Sequence, residues 1–173
     1  MRIYLLGFMG VGKSHWGSIW AQHFQLNWID LDQLIIQKTS SSIEDIFKEQ
    51  GEMGFRKIEA ACLRETNKME NALISVGGGT PCFEENMHWM NEHGTTIWLE
   101  ASPQYLANRL AADTEKNRPL IAVLEETTLE KEIERLLIAR IPFYQKAQHR
   151  LNAEQLDKNS IYKHLNQNKP NHE

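Results

Sequence analysis

Apolar positions along the chain switch between short unbroken runs and helically spaced stripes. Ile3–Leu6 is an unbroken run closed by Gly7, the pattern of a strand buried on both faces. From Lys13 onward, Trp16, Ile19, Trp20 and Phe24 recur at helical spacing. Asn27–Asp30 predicts a second strand, with a helix through Leu34 and Ile35 behind it. Ser42-Ile43-Glu44-Asp45 is a capping box with Asp where Glu is usual; it opens a helix that Gly51 stops, and a longer helix follows over 52–69. Ala72–Val76 predicts a third strand running into three glycines. A helix over 84–93 with Gly94 as its C′ residue leads to a fourth strand, Thr95–Leu99. Ser102 as N-cap and Pro103 at the first helical position start a helix to about Ala112. Thr128–Arg140 is helical and broken at Pro142; a weak strand over 150–152 and a helix over 161–165 complete the pattern. Strands alternating with helices predict an α/β fold with a parallel sheet covered on both faces.

Composition narrows the class. A chain of 173 residues fits one domain over 1–173, with 166–173 read as a disordered polar tail. A net charge of −4 provides no basic face for nucleic acid. The longest apolar stretch, Ile3–Val11, is interrupted by glycines and far short of the ~20 residues of a membrane span. Arg2 before it imitates a signal peptide, but no small-residue cleavage site follows. Cys62 and Cys82 match neither a disulfide framework nor a zinc spacing and fit a reducing, cytoplasmic setting. No long apolar stripe is left over after the elements are assigned, so a monomer is expected.

The chemistry begins at Gly7-Phe8-Met9-Gly10-Val11-Gly12-Lys13-Ser14, a full match to the phosphate-loop pattern between a predicted strand and a predicted helix. Glycines let successive backbone N–H groups face one concavity, and the helix adds its N-terminal dipole. Lys13 would reach the outer phosphates of a nucleoside triphosphate, and Ser14 would ligate Mg²⁺. Asp30 and Asp32 end the second strand two residues apart, so one carboxylate can serve Mg²⁺ and the other the acceptor. Arg56 stands near the start of a helix, and Gly77-Gly78-Gly79 suggests a backbone closely approached by ligand. Arg118 and Arg140 each lie beside a proline.

In this order GFMGVGKS, WIDLD, SIEDIF with GEMGFRKIE, SVGGGTPCF, NRPL and RIPFY make a chain that resembles the shikimate kinases along almost its whole length. The resemblance implies a three-layer α/β/α sandwich on a five-stranded parallel sheet, of the nucleoside-monophosphate-kinase type. It also implies a substrate-binding helical segment about 31–60 and a lid about 112–123. The activity implied is transfer of phosphate from ATP to shikimate. Gly10, Val11, Gly12, Lys13, Ser14 and His15 would hold the ATP phosphates, with Ser14 and Asp30 on Mg²⁺. Asp32 would bind the ring hydroxyls, Arg56 and Arg140 the carboxylate, and Gly78 would offer a backbone N–H; Lys13, Asp32 and the lid residue Arg118 would carry the chemistry. His15 departs from the family, which usually has a small hydroxyl residue there. Arg109 is a candidate for stacking on adenine, and the adenine-side loop is sought in 152–160. Gluconate is the rival acceptor, and a nucleotide-binding protein without catalysis is the rival class. The five tryptophans are expected to pack helices on the sheet, Trp16 and Trp20 as a core-facing pair, and Cys82 to be a small buried filler.

Overall fold

The computed structural model describes residues 1–112 and 126–165. Five strands, β1 (Arg2–Leu6), β2 (Asn27–Asp30), β3 (Ala72–Ser75), β4 (Thr95–Glu100) and β5 (His149–Asn152), form one parallel sheet in the order β2-β3-β1-β4-β5. Helices α1 (Lys13–His23), α2 (Leu31–Thr39), α3 (Ile43–Glu65), α4 (Asn86–His93), α5 (Pro103–Ala112), α6 (Glu126–Tyr144) and α7 (Tyr162–Leu165) connect and cover them. The central strands are the unbroken apolar runs: Tyr4, Leu5 and Leu6 in β1 and Leu73 and Ile74 in β3 are wholly buried. The edge strands β2 and β5 are not.

Most boundaries follow the chemistry that predicted them. Ser42 Oγ accepts the Asp45 N–H at 3.0 Å, and Ser102 Oγ accepts the Tyr105 N–H at 3.2 Å, so both caps form. Gly51, at φ 68° and ψ −177°, bends α3 where the first of the two predicted helices ends. The second stops at Glu65, and a 3-10 turn, Thr66–Lys68, replaces its last predicted turn. One expectation needs correction. Pro142 does not break α6, which runs two residues further to Tyr144. It sits in the last turn on an exposed flank with Ile138, so the Ile138 carbonyl that loses its N–H partner faces water, and Gln145 N–H still reaches the Ile141 carbonyl at 2.9 Å. Trp28, on edge strand β2, is 42% exposed yet still packs against α1, where a Cβ on Gly17 would stand 2.9 Å from its Nε1. Gly94 is extended and needed for space, because a Cβ there would stand 2.8 Å from the Arg2 carbonyl oxygen.

All strands point their carboxyl ends the same way. In such a sheet the ligand crevice opens beyond those ends, and here the turns after β1, β2 and β3 meet there. The Val76 N–H donates to the Leu5 carbonyl at 3.1 Å, so the glycine triplet lies directly beside the loop that follows β1.

Candidate active site

The loop after β1 is shaped by Gly7, Gly10 and Gly12, at φ 145°, 79° and 101°. Gly10 also has no room for a side chain: a Cβ would stand 2.8 Å from the Leu110 side chain of α5. Lys13 Nζ curls back over the loop and donates to the carbonyls of Gly7 and Phe8 at 2.9 and 3.0 Å. A pocket of about 580 Å³ opens above it, lined among others by Gly10, Gly12, Lys13, Ser14, His15, Asp30, Asp32, Gly78 and Arg109. Val11 is buried beneath, so only its backbone can face a ligand.

Asp30 caps α2. Its Oδ1 accepts the N–H groups of Asp32 and Gln33 at 3.0 and 3.4 Å, which fixes the carboxylate and leaves Oδ2 to take the Ser14 hydroxyl at 3.0 Å. Ser14 and Asp30 thus present adjacent hard oxygens at the rim of the pocket, a donor set suited to Mg²⁺, which keeps several waters and uses one or two protein oxygens.

Asp32 points into the same pocket from the first turn of α2. Burial, helped by the nearby carboxylates of Asp30 and Glu59 and opposed by Lys13 and Arg56, pushes its carboxyl from 3.8 up to about 6. The ionised form is therefore costly in the folded chain. As pH rises from about 4 to 6, the unfolded state ionises first and wild-type stability falls. Asp32→Asn should consequently raise the stability of the magnesium-free protein by roughly 3 kcal/mol above about pH 7, and leave it unchanged near pH 3. Urea melts at the two pH values check this; a gain of equal size at both would show that the carboxylate charge is not its source.

Beyond Asp32 lies the arginine pair. Arg56 Nη1 donates to Glu59 Oε2 at 2.7 Å, and Glu59 Oε1 accepts the Thr80 hydroxyl at 2.6 Å. Glu59 is wholly buried, so it locks the guanidinium against the turn that follows the glycine triplet. A methyl group on Gly79 would overlap that guanidinium. Arg140 comes from the last turns of α6, 5.1 Å above the Phe8 ring, and its Nη1 is buried with no hydrogen-bond partner among the described residues. A Cβ on Gly78 would stand 3.1 Å from that nitrogen. The Gly78 carbonyl accepts the Tyr144 hydroxyl at 2.6 Å, which orients the peptide. Burial raises the Tyr144 pKa, keeping it a donor. A pocket of about 500 Å³ between the arginines is lined by Met53, Gly79, Cys82, Phe83 and Ala139 as well. Cys82 is accordingly half-buried beside the arginines rather than a core filler, with its thiol pKa raised by burial.

Of the residues singled out in the sequence, the structure gathers Gly10, Gly12, Lys13, Ser14, His15, Asp30, Asp32, Gly78 and Arg109 around one pocket, with Arg56 and Arg140 in the next. Arg118 and the lid beyond Ala112 lie outside the described residues, as does the tail over 166–173. Glu59 and Tyr144 were not singled out. The signal for Glu59 was present: with Phe55, Cys62 and Leu63 it occupies the apolar stripe of α3, where an unpaired carboxylate does not belong.

A phosphate loop after the central strand, facing a two-arginine pocket across an aspartate, places the chain among P-loop proteins with the nucleoside-monophosphate-kinase-like fold. A shikimate kinase family model matches residues 9–168. The shikimate kinase of Phocaeicola vulgatus is 41% identical over 156 residues, covering 90% of this chain and 89% of that one. Among solved structures, shikimate kinase from Bacteroides thetaiotaomicron superposes with a TM-score of 0.86 at 38% identity, covering 94% of this chain and 93% of that one. Shikimate kinase from Acinetobacter baumannii in complex with shikimate gives 0.81 at 28% identity, with 95% and 89% covered. The chain belongs to the shikimate kinase family.

Proposed function

We propose that this protein transfers the γ-phosphoryl group of ATP to the 3-hydroxyl of shikimate, giving ADP and shikimate 3-phosphate in aromatic amino-acid biosynthesis. The observation that carries the reading is the meeting, across Asp32 and Gly78, of a phosphate loop and a pocket whose Arg140 Nη1 is buried without a hydrogen-bond partner among the described residues. A carboxylate is the complement of two such guanidinium groups, and the relative from Acinetobacter baumannii that holds shikimate supports this acceptor.

In this reading the backbone N–H groups of Gly10 to Ser14 receive the β- and γ-phosphates and His15 flanks the α-phosphate. Ser14 and Asp30 hold Mg²⁺, which neutralises phosphate charge when bound. Arg56 and Arg140 clamp the shikimate carboxylate, and the Gly78 N–H adds a further contact. Asp32 accepts a hydrogen bond from the ring hydroxyls and takes the proton of the 3-hydroxyl as its oxygen bonds to the γ-phosphorus and the bond to the ADP oxygen breaks. Lys13 and Arg118 neutralise the developing charge. Two free thiols fit a reducing compartment, and we place the enzyme in the cytoplasm, acting as a monomer on small molecules.

Purified protein with ATP and Mg²⁺ should release ADP at about 1–100 s⁻¹ when shikimate is added, followed by a coupled assay with gluconate in parallel. Turnover with gluconate alone would overturn the acceptor assignment. ATP binding with no turnover on either would overturn the transfer reading.

A further inference from the structure

Because α6 runs on through Pro142, it brings two residues to bear on one glycine. Arg140 and Tyr144 are four apart and share a face of the helix. A Cβ on Gly78 would stand 3.1 Å from Arg140 Nη1, and the Tyr144 hydroxyl donates to the Gly78 carbonyl at 2.6 Å. A helix broken at Pro142 would lose this register. The Tyr144 ring is wholly buried and lies against the Trp98 indole of β4, with centroids 5.8 Å apart, so packing holds the hydroxyl where it is.

The sequence of the following turn shows why the Gly78 carbonyl needs a donor from another element. The Gly77 carbonyl accepts the Thr80 N–H at 3.1 Å, and the Gly79 carbonyl accepts the Cys82 N–H at 3.0 Å, both in the three-residue spacing of a 3-10 turn. The same spacing would pair the Gly78 carbonyl with residue 81, which is Pro81 and has no N–H. Tyr144 fills that gap from α6. Gly78 lines the loop pocket and Gly79 the arginine pocket, so the peptide joining them stands at the boundary of the two. With glycine on both sides, no Cβ resists its rotation. A buried carbonyl deprived of its donor is costly until it finds another. One stands beside it: Arg140 Nη1, buried without a hydrogen-bond partner among the described residues. A bond from that nitrogen to the carbonyl would take away the donor that a ligand carboxylate needs.

We propose that Tyr144 is a positioning residue for the acceptor: by donating to the carbonyl that Pro81 leaves open, it keeps the Arg140 guanidinium free for the acceptor's carboxylate. The inference rests on the reading of this pocket as the shikimate site. It is tested by steady-state kinetics, each substrate varied in turn, on wild-type protein, Tyr144→Phe, Arg140→Lys and the double variant. Phenylalanine keeps the ring against Trp98 and removes only the donor. Tyr144→Phe should raise the KM for shikimate about tenfold, the worth of one hydrogen bond, with kcat and the KM for ATP near wild type. In the Arg140→Lys background the same substitution should add little, because the guanidinium it protects is gone. An unchanged KM for shikimate in Tyr144→Phe would overturn the proposal. So would a rise of equal size in both backgrounds, which would make Tyr144 a structural residue that acts independently of Arg140. Wild-type protein whose ADP release does not respond to shikimate would instead overturn the reading of the acceptor itself.

Discussion

Asp32→Asn should lower kcat by about 10²–10⁴-fold while ADP affinity and the KM for ATP stay near wild type. The carboxylate lies at the junction of the two pockets, not in the phosphate loop. Its side chain lines the space where an acceptor must present a hydroxyl to the γ-phosphate. Burial and two neighbouring carboxylates hold its pKa at about 6, close enough to neutrality for it to take a proton that an ordinary aspartate would accept poorly. Asparagine keeps the size and can still hydrogen-bond the ring hydroxyls, but it cannot take up that proton. The effect should therefore fall on kcat more than on the KM for shikimate. Steady-state kinetics with each substrate varied in turn separates the two. A variant with full kcat would remove Asp32 from proton transfer and leave it a positioning group. The same substitution stabilises the resting protein, so its two effects run in opposite directions, as expected where function maintains an unfavourable charge.

The fold was legible wherever a local rule decided it. Apolar runs, caps at Ser42 and Ser102, and glycines at positive φ gave the strands, the helix starts and the phosphate loop nearly to the residue. Where local rules met tertiary context they failed. Pro142 stays helical because its lost bond is on the solvent side of a last turn. Trp28 packs on α1 as expected but stays half-exposed because β2 is an edge strand, and nothing in four residues reveals which strand is the edge. The site divides in the same way. Its loop is a contiguous motif and was readable as such. The proposed acceptor pocket is assembled from α2, α3, the turn after β3 and α6, and only the family resemblance brought Asp32, Arg56, Gly78 and Arg140 together. Glu59 escaped because its role is to hold Arg56 rather than to meet a ligand, and Tyr144 because its partner is a backbone carbonyl sixty-six residues away.

Arg140→Lys should raise the KM for shikimate by about 100-fold, with kcat and the KM for ATP little changed. The guanidinium is held over Phe8 with Nη1 buried, without a hydrogen-bond partner among the described residues and next to Gly78, so the fork is set before any ligand arrives. The cost of burying that N–H has already been met in folding, and a carboxylate offered to it recovers a charge-assisted hydrogen bond in a site shielded from water. Lysine keeps the charge but not the geometry: a single ammonium cannot bond two carboxylate oxygens in plane, and its shorter reach leaves the cavity by Gly78 to water. Losing one partner of a buried, hydrogen-bonded charge pair costs about 2–5 kcal/mol, and the retained charge keeps the expected loss near the lower end. Because the carboxylate is remote from the transferred phosphate, the contact is the same in the ground and transition states and acts on KM. An equal loss in kcat would mean instead that Arg140 acts on the transferring phosphate. Gly79→Ala gives an independent comparison, since its methyl group meets the guanidinium of Arg56, the other half of the proposed clamp. If both arginines hold the same carboxylate, the double variant should lose less than the product of the two single effects, because once one side of the clamp is gone the other no longer holds the ligand in register.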